Sequence, residues 1–94
     1  MTNLRYVVVM RYDMCWYTLL VDSKPHVFFF KQPKIYKLFY GAKNMADTLC
    51  RWHKNNGVWV FRIIEGEELG VDLYKQWVFD RSRIAYHTTK DKVK

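Results

Sequence analysis

LRYVVVMR, residues 4–11, sets three valines and a methionine between two arginines. β-Branched side chains lose rotamer freedom in a helix and pack well on a pleated surface, so the run predicts a buried strand. It is too short for a signal-peptide core or a membrane span. CWYTLLVD (15–22) has the same character, and Tyr12-Asp13-Met14 is long enough only for a short connection. Two such runs predict an antiparallel hairpin.

Working outward, Asp22-Ser23-Lys24-Pro25 reads as a turn and HVFFFK (26–31) as a third strand. Pro33 donates no backbone hydrogen bond and should break the ladder at 32–33. KIYKLFY (34–40) fits neither period and reads as an edge strand or a short helical turn. The clearest helix signal is MADTLCRWHKNN (45–56). Asn44 is placed to cap it, and Asp47 suits the positive end of the dipole. Met45, Leu49 and Trp52 form an apolar stripe, with Ala46 and Cys50 beside it. Gly57 can end the helix in a left-handed conformation. VWVFRIIE (58–65) predicts a strand and GEELG (66–70) a turn. In VDLYKQWVF (71–79) the alternation of Val71, Leu73, Trp77 and Phe79 favours a strand over the helical pair Tyr74 and Val78. SRIAYHT (82–88) predicts a last short strand. The expected fold is α+β: one domain over residues 1–88, a mostly antiparallel sheet with at least one helix (about 45–56) packed on a face. A flexible basic tail is expected at 89–94.

Of the 94 residues, 50% are hydrophobic and 18% aromatic, which predicts a packed single domain with more rings than so small an interior can hide. The formal net charge is +7, and it is segregated. Residues 22–57 carry +5, residues 58–80 carry −3, and residues 81–94 carry +4. A basic balance of this kind favours anionic partners. Cys15 and Cys50 lie in different expected elements, as in a cytoplasmic protein with reduced thiols.

The chemistry-bearing signal is basic and aromatic. Lys31, Lys34, Lys37, Lys43, Arg51 and Lys54 are interleaved with Tyr36, Phe39, Tyr40 and Trp52. Cations of this kind follow phosphates, and rings stack on bases. Tyr36, Tyr40 and Trp52 are the expected stacking rings, and Arg81, Arg83 and the tail lysines would add general attraction. GVWVFRII (57–64) invites comparison with the central strand of the RNA-recognition fold. It lacks that motif's basic residue and second small residue, and too many strands precede the first helix. Cys50 and His53 are three apart, but zinc would need two more ligands, and no second pair has ligand spacing. His26, His53 and His87 could act as acid and base in a metal-independent ribonuclease only if the fold brought them together. No metal and no cofactor is expected.

The expected function is non-enzymatic binding of RNA or single-stranded nucleic acid. The alternative is a protein-binding inhibitor or adaptor acting on a host nuclease, toxin or other nucleic-acid-handling protein. That role would fit the general look of a small bacteriophage accessory protein, a likeness of size and composition alone. No membrane partner is expected. The acidic stretch EGEELGVD (65–72) and an exposed sheet edge both offer routes to a homodimer.

Overall fold

The structure, a computed structural model, describes residues 4–19, 25–27 and 33–89. The chain runs β1 (Leu4–Tyr12), β2 (Cys15–Leu19), β3 (Pro25–Val27), β4 (Ile35–Tyr36), α1 (Phe39–Trp52), β5 (Gly57–Ile64), α2 (Val71–Trp77) and β6 (Ile84–Thr88). The strands form one sheet in the order β3-β2-β1-β5-β6, with antiparallel pairing throughout. β4 lies along β1 at Tyr6 and Val7, where β2 no longer reaches, because β2 pairs with β1 only over Val9 to Tyr12. The expected α+β architecture is therefore observed, with a helix on each face of the sheet.

The first strand is the hub. Its side chains alternate between two cores, as successive residues of a strand must. Val8 and Met10 face α1, where they meet Val58 and Val60 of β5 and Ala42, Ala46, Leu49 and Cys50 of the helix. Val7 and Val9 face the other way, with Trp16, Trp59, Phe61, Ile63 and the α2 residues Tyr74 and Trp77. Burial on both faces explains why β1 and β5 read as unbroken apolar runs rather than as alternating patterns. The β1–β2 hairpin turns on Asp13 and Met14, both with positive φ (49° and 65°), the sense that matches strand twist in a two-residue turn. Asn56 holds this turn: its side-chain oxygen accepts from the Asp13 N–H at 2.9 Å, and its own N–H donates to the Arg11 carbonyl at 2.7 Å.

Three expectations are corrected. The first helix spans Phe39–Trp52, not 45–56, so Asn44 lies inside it and Leu38 takes the N-cap position without a side-chain hydrogen bond. Its buried stripe is Ala42, Ala46, Leu49 and Cys50; Trp52 faces out. Small residues at 42 and 46 let the helix backbone lie close on the sheet. KIYKLFY is split accordingly, with Ile35–Tyr36 in β4 and Phe39 and Tyr40 in the helix. Second, Gly57 opens β5 rather than closing a helix; His53 is the C-cap. Third, 71–79 is not a strand: Val71–Trp77 is a helix, because Tyr74 and Trp77, three apart, both pack on Phe61 at ring separations of 5.9 and 5.5 Å. The end of CWYTLLVD and the turn at 22–24 (residues 20–24), the last four residues of HVFFFK with position 32 (28–32), and the basic tail from residue 90 lie outside the described residues.

Candidate nucleic-acid interface

The outer face of α1 follows from its inner one. With Ala42, Ala46, Leu49 and Cys50 fixed on the sheet, the 3.6-residue period turns Tyr40, Asn44, Thr48, Arg51 and Trp52 to solvent. Tyr40 is 74% exposed and Trp52 78%. Twelve residues separate these two rings, about 18 Å along the helix axis. Lys37 precedes the helix and Lys54 follows it, both exposed. Lys37, Arg51 and Lys54 make no ion pair among the described residues.

The one acid of α1, at the border of this face one turn before Arg51, is engaged by neighbours. Asp47 accepts a hydrogen bond from the Tyr86 hydroxyl of β6 at 2.7 Å and pairs with Lys43 Nζ at 3.4 Å. The Lys43 ammonium also lies 5.0 Å from the centre of the Tyr86 ring. Burial, with the Asp47 carboxylate beside it, pushes the Tyr86 hydroxyl above the usual tyrosine range. The exposed residues of α1 thus include a cation and two rings but no carboxylate.

The other sequence-predicted residues are placed differently. Tyr36 is half-buried, its hydroxyl is enclosed, and burial raises its pKa. Its ring lies 3.5 Å from where a Cβ on Gly41 would be, and Lys34 Nζ sits 5.2 Å from its centre. Tyr36 is a packing residue with Lys34 over it, not an open stacking platform. Arg83 makes a two-pronged contact with Glu67, at 2.7 Å (Nη1 to Oε1) and 2.6 Å (Nη2 to Oε2), and lies 4.5 Å from the Trp77 ring centre. Arg81 is exposed in the turn between α2 and β6. Both arginines stand apart from the α1 face. Lys31 falls outside the described residues.

Among the described residues, neither the Cys50–His53 pair nor the pair His53 and His87 is brought together. Cys50 is buried, with Sγ 3.7 Å from the Asn55 side-chain oxygen, while His53 is exposed at the helix end. No group of three or more metal-ligating side chains occurs among the described residues. His87 stacks on Trp59 at 4.6 Å in the core facing α2, and His53 follows α1 on the opposite face. The side chain of His26 is not among those described.

Sequence reasoning missed a second feature, an open depression of about 240 Å³ lined by Arg11, Met14, Trp16, Lys75, Val78 and Phe79. Phe79 is 88% exposed and Met14 84%. Both sit beside an aspartate in a turn, which is the signal that could have marked them as outward.

Comparison with protein-family models, curated proteins and solved structures gives no match. No helix among the described residues is long and apolar enough to cross a membrane.

Proposed function

We propose that this chain is a small non-enzymatic nucleic-acid-binding protein that holds RNA or another single strand along the outer face of α1. The observation that carries the reading is the composition of that face. Lys37, Arg51 and Lys54 are exposed and make no ion pair among the described residues, the rings of Tyr40 and Trp52 are exposed beside them, and the one acid of α1, Asp47, is engaged by Tyr86 and Lys43. Cations would neutralise phosphates and each ring would take a base. A stacked strand advances about 3.4 Å per nucleotide, so about five steps separate the two rings. A cytoplasmic setting, with both thiols reduced, belongs to the same reading.

The test is fluorescence anisotropy with labelled single-stranded RNA, single-stranded DNA and duplex DNA at low salt. Single strands are expected to bind best. Tyr40→Ala and Trp52→Ala are each expected to cost about 1–3 kcal/mol. Absence of binding to all three probes overturns the proposal.

Leu38, 76% exposed beside Tyr40, favours a second reading. An aliphatic side chain has no role in base stacking and suits a protein anchor. On this reading the same face binds a nucleic-acid-handling protein as inhibitor or adaptor. Leu38→Ser separates the two: it should leave anisotropy with RNA unchanged, and it should weaken capture of a protein partner from nuclease-treated extract.

A further inference from the structure

We propose that the α2 face of the domain is a self-association surface, on which a second copy of this chain docks antiparallel across a two-fold axis near the middle of α2. The inference is independent of nucleic-acid binding and uses the opposite side of the sheet.

The first observation is apolar. Phe79 and Met14 are large and almost fully exposed, and they flank the depression floored by Trp16 and Val78. Exposed anchors beside a recess of similar character are what an interface centre needs. The second observation is the order of charge along α2. Glu68 and Asp72 line a shallow recess at its amino end, with Leu69 and Leu73. Lys75 and Arg11 line the recess at its carboxyl end. Asp72, Lys75 and Gln76 are all exposed and share the outward face of the helix. An interface around a two-fold axis must be complementary to itself. Reversing one copy of α2 on another brings the acidic end of each onto the basic end of its neighbour, with Asp72 opposite Lys75 twice over. It also sets Phe79 of each copy toward the amino-end recess of the other, where Leu69 and Leu73 offer apolar surface.

The global charge narrows the choice of occupant. Two chains of formal charge +7 repel over most of their surfaces, and residues 58–80 are the stretch that carries −3. A second copy therefore meets least repulsion at α2. A polyanion is served poorly there, because Asp13 and Asp80 adjoin Met14 and Phe79 in sequence and Glu68 and Asp72 line the amino-end recess. Docking at α2 leaves the outer face of α1 uncovered in both copies, since the sheet lies between the two helices.

Sedimentation velocity on the full chain, from about 1 to about 100 μM at fixed salt, reads the outcome; a Kd near 10 μM would leave most of the chain dimeric at the upper end. Phe79→Ser, Lys75→Glu and Asp72→Lys are each expected to weaken the dimer about tenfold or more. All three positions are exposed, and circular dichroism checks that each variant stays folded. The decisive arm mixes Lys75→Glu chains with Asp72→Lys chains. Each alone sets like charges together, while the mixture restores both opposite-charge pairs and should recover wild-type association as a heterodimer. A chain that stays monomeric throughout overturns the proposal, whether or not Phe79 docks on some other protein. So does a dimer indifferent to these changes, which would form through another face such as the β6 edge. Failure of the mixture to associate overturns the antiparallel arrangement and the proposal with it.

Discussion

Gly57 shows how one residue can be read correctly in kind and wrongly in place. Its φ of +142° is open to glycine and strained for any other residue. The sequence suggests that freedom closes a helix; in the fold it starts β5 under a crowded roof. A Cβ at this position would lie 3.0 Å from Trp59 Cη2 and 3.1 Å from His87 Nε2. Those two rings are stacked on each other and cannot both withdraw. Gly57→Ala is therefore expected to destabilise the domain by about 1–3 kcal/mol, seen as a lower urea midpoint with an unchanged m-value. Gly66, at φ +86°, has open space around its would-be Cβ, so Gly66→Ala should show the backbone cost alone and lose less. Glu67 offers a test of a different kind. Hydrogen bonds from Arg83 above all, opposed by burial and joined by the Ile64 N–H, hold its carboxyl below the usual glutamate range. A carboxyl lowered in the native state stabilises the fold fully above its unfolded pKa of about 4.3, and that contribution is lost as pH falls through the lower native value. Glu67→Gln should reduce stability at neutral pH and flatten the acid limb of a plot of urea midpoint against pH below about pH 4.

Among the elements, strands were legible and helices were not placed well. β1, β2, β5 and β6 all fall where β-branched and aromatic runs predict, because the sheet is buried on both faces and its sequence shows it without ambiguity. The helices are disguised by the residues that fit them to the sheet. Gly41 and Asn44 look like a turn and a cap, yet they sit inside α1, where a Cβ on Gly41 would touch the Tyr36 ring at ordinary contact distance. Val71, Leu73, Trp77 and Phe79 alternate like a strand, but Phe79 is not buried at all and Tyr74 and Trp77 carry the packing. The same displacement moved Trp52 from an inner stripe to the outer face. α1 consequently starts without a cap: Leu38 is extended (φ −114°, ψ 137°), makes no side-chain hydrogen bond, and the first turn holds no acid. Leu38→Ser supplies an oxygen to the orphan N–H groups and removes a largely exposed apolar side chain. It is expected to stabilise the domain by about 0.5–1 kcal/mol in urea unfolding.

At the scale of the whole molecule, the question is whether total charge or local charge governs an anionic ligand. The sequence offered eleven candidate contacts, and the fold sorts them. Lys34 is over Tyr36, Lys43 is held by Asp47 and Tyr86, and Arg83 is locked to Glu67. Lys37, Arg51 and Lys54 remain exposed in and beside α1, with no ion pair among the described residues. Each phosphate neutralised on a single strand contributes about −0.7 to the slope of log K against log salt, so three cations give a slope of about −2. Binding should then weaken about 20-fold between 50 and 200 mM salt. If the formal charge of +7 acted as a whole, the slope would be near −5 and the loss nearly a thousandfold. The two cases are separated by a single salt titration with a labelled RNA. A slope near −2 that falls by about 0.7 in Lys37→Ala, while Arg83→Ala leaves it unchanged, assigns the contacts to the helix face. A slope near −5, insensitive to Lys37, would mean that the whole basic surface attracts the strand and that α1 is not a defined site.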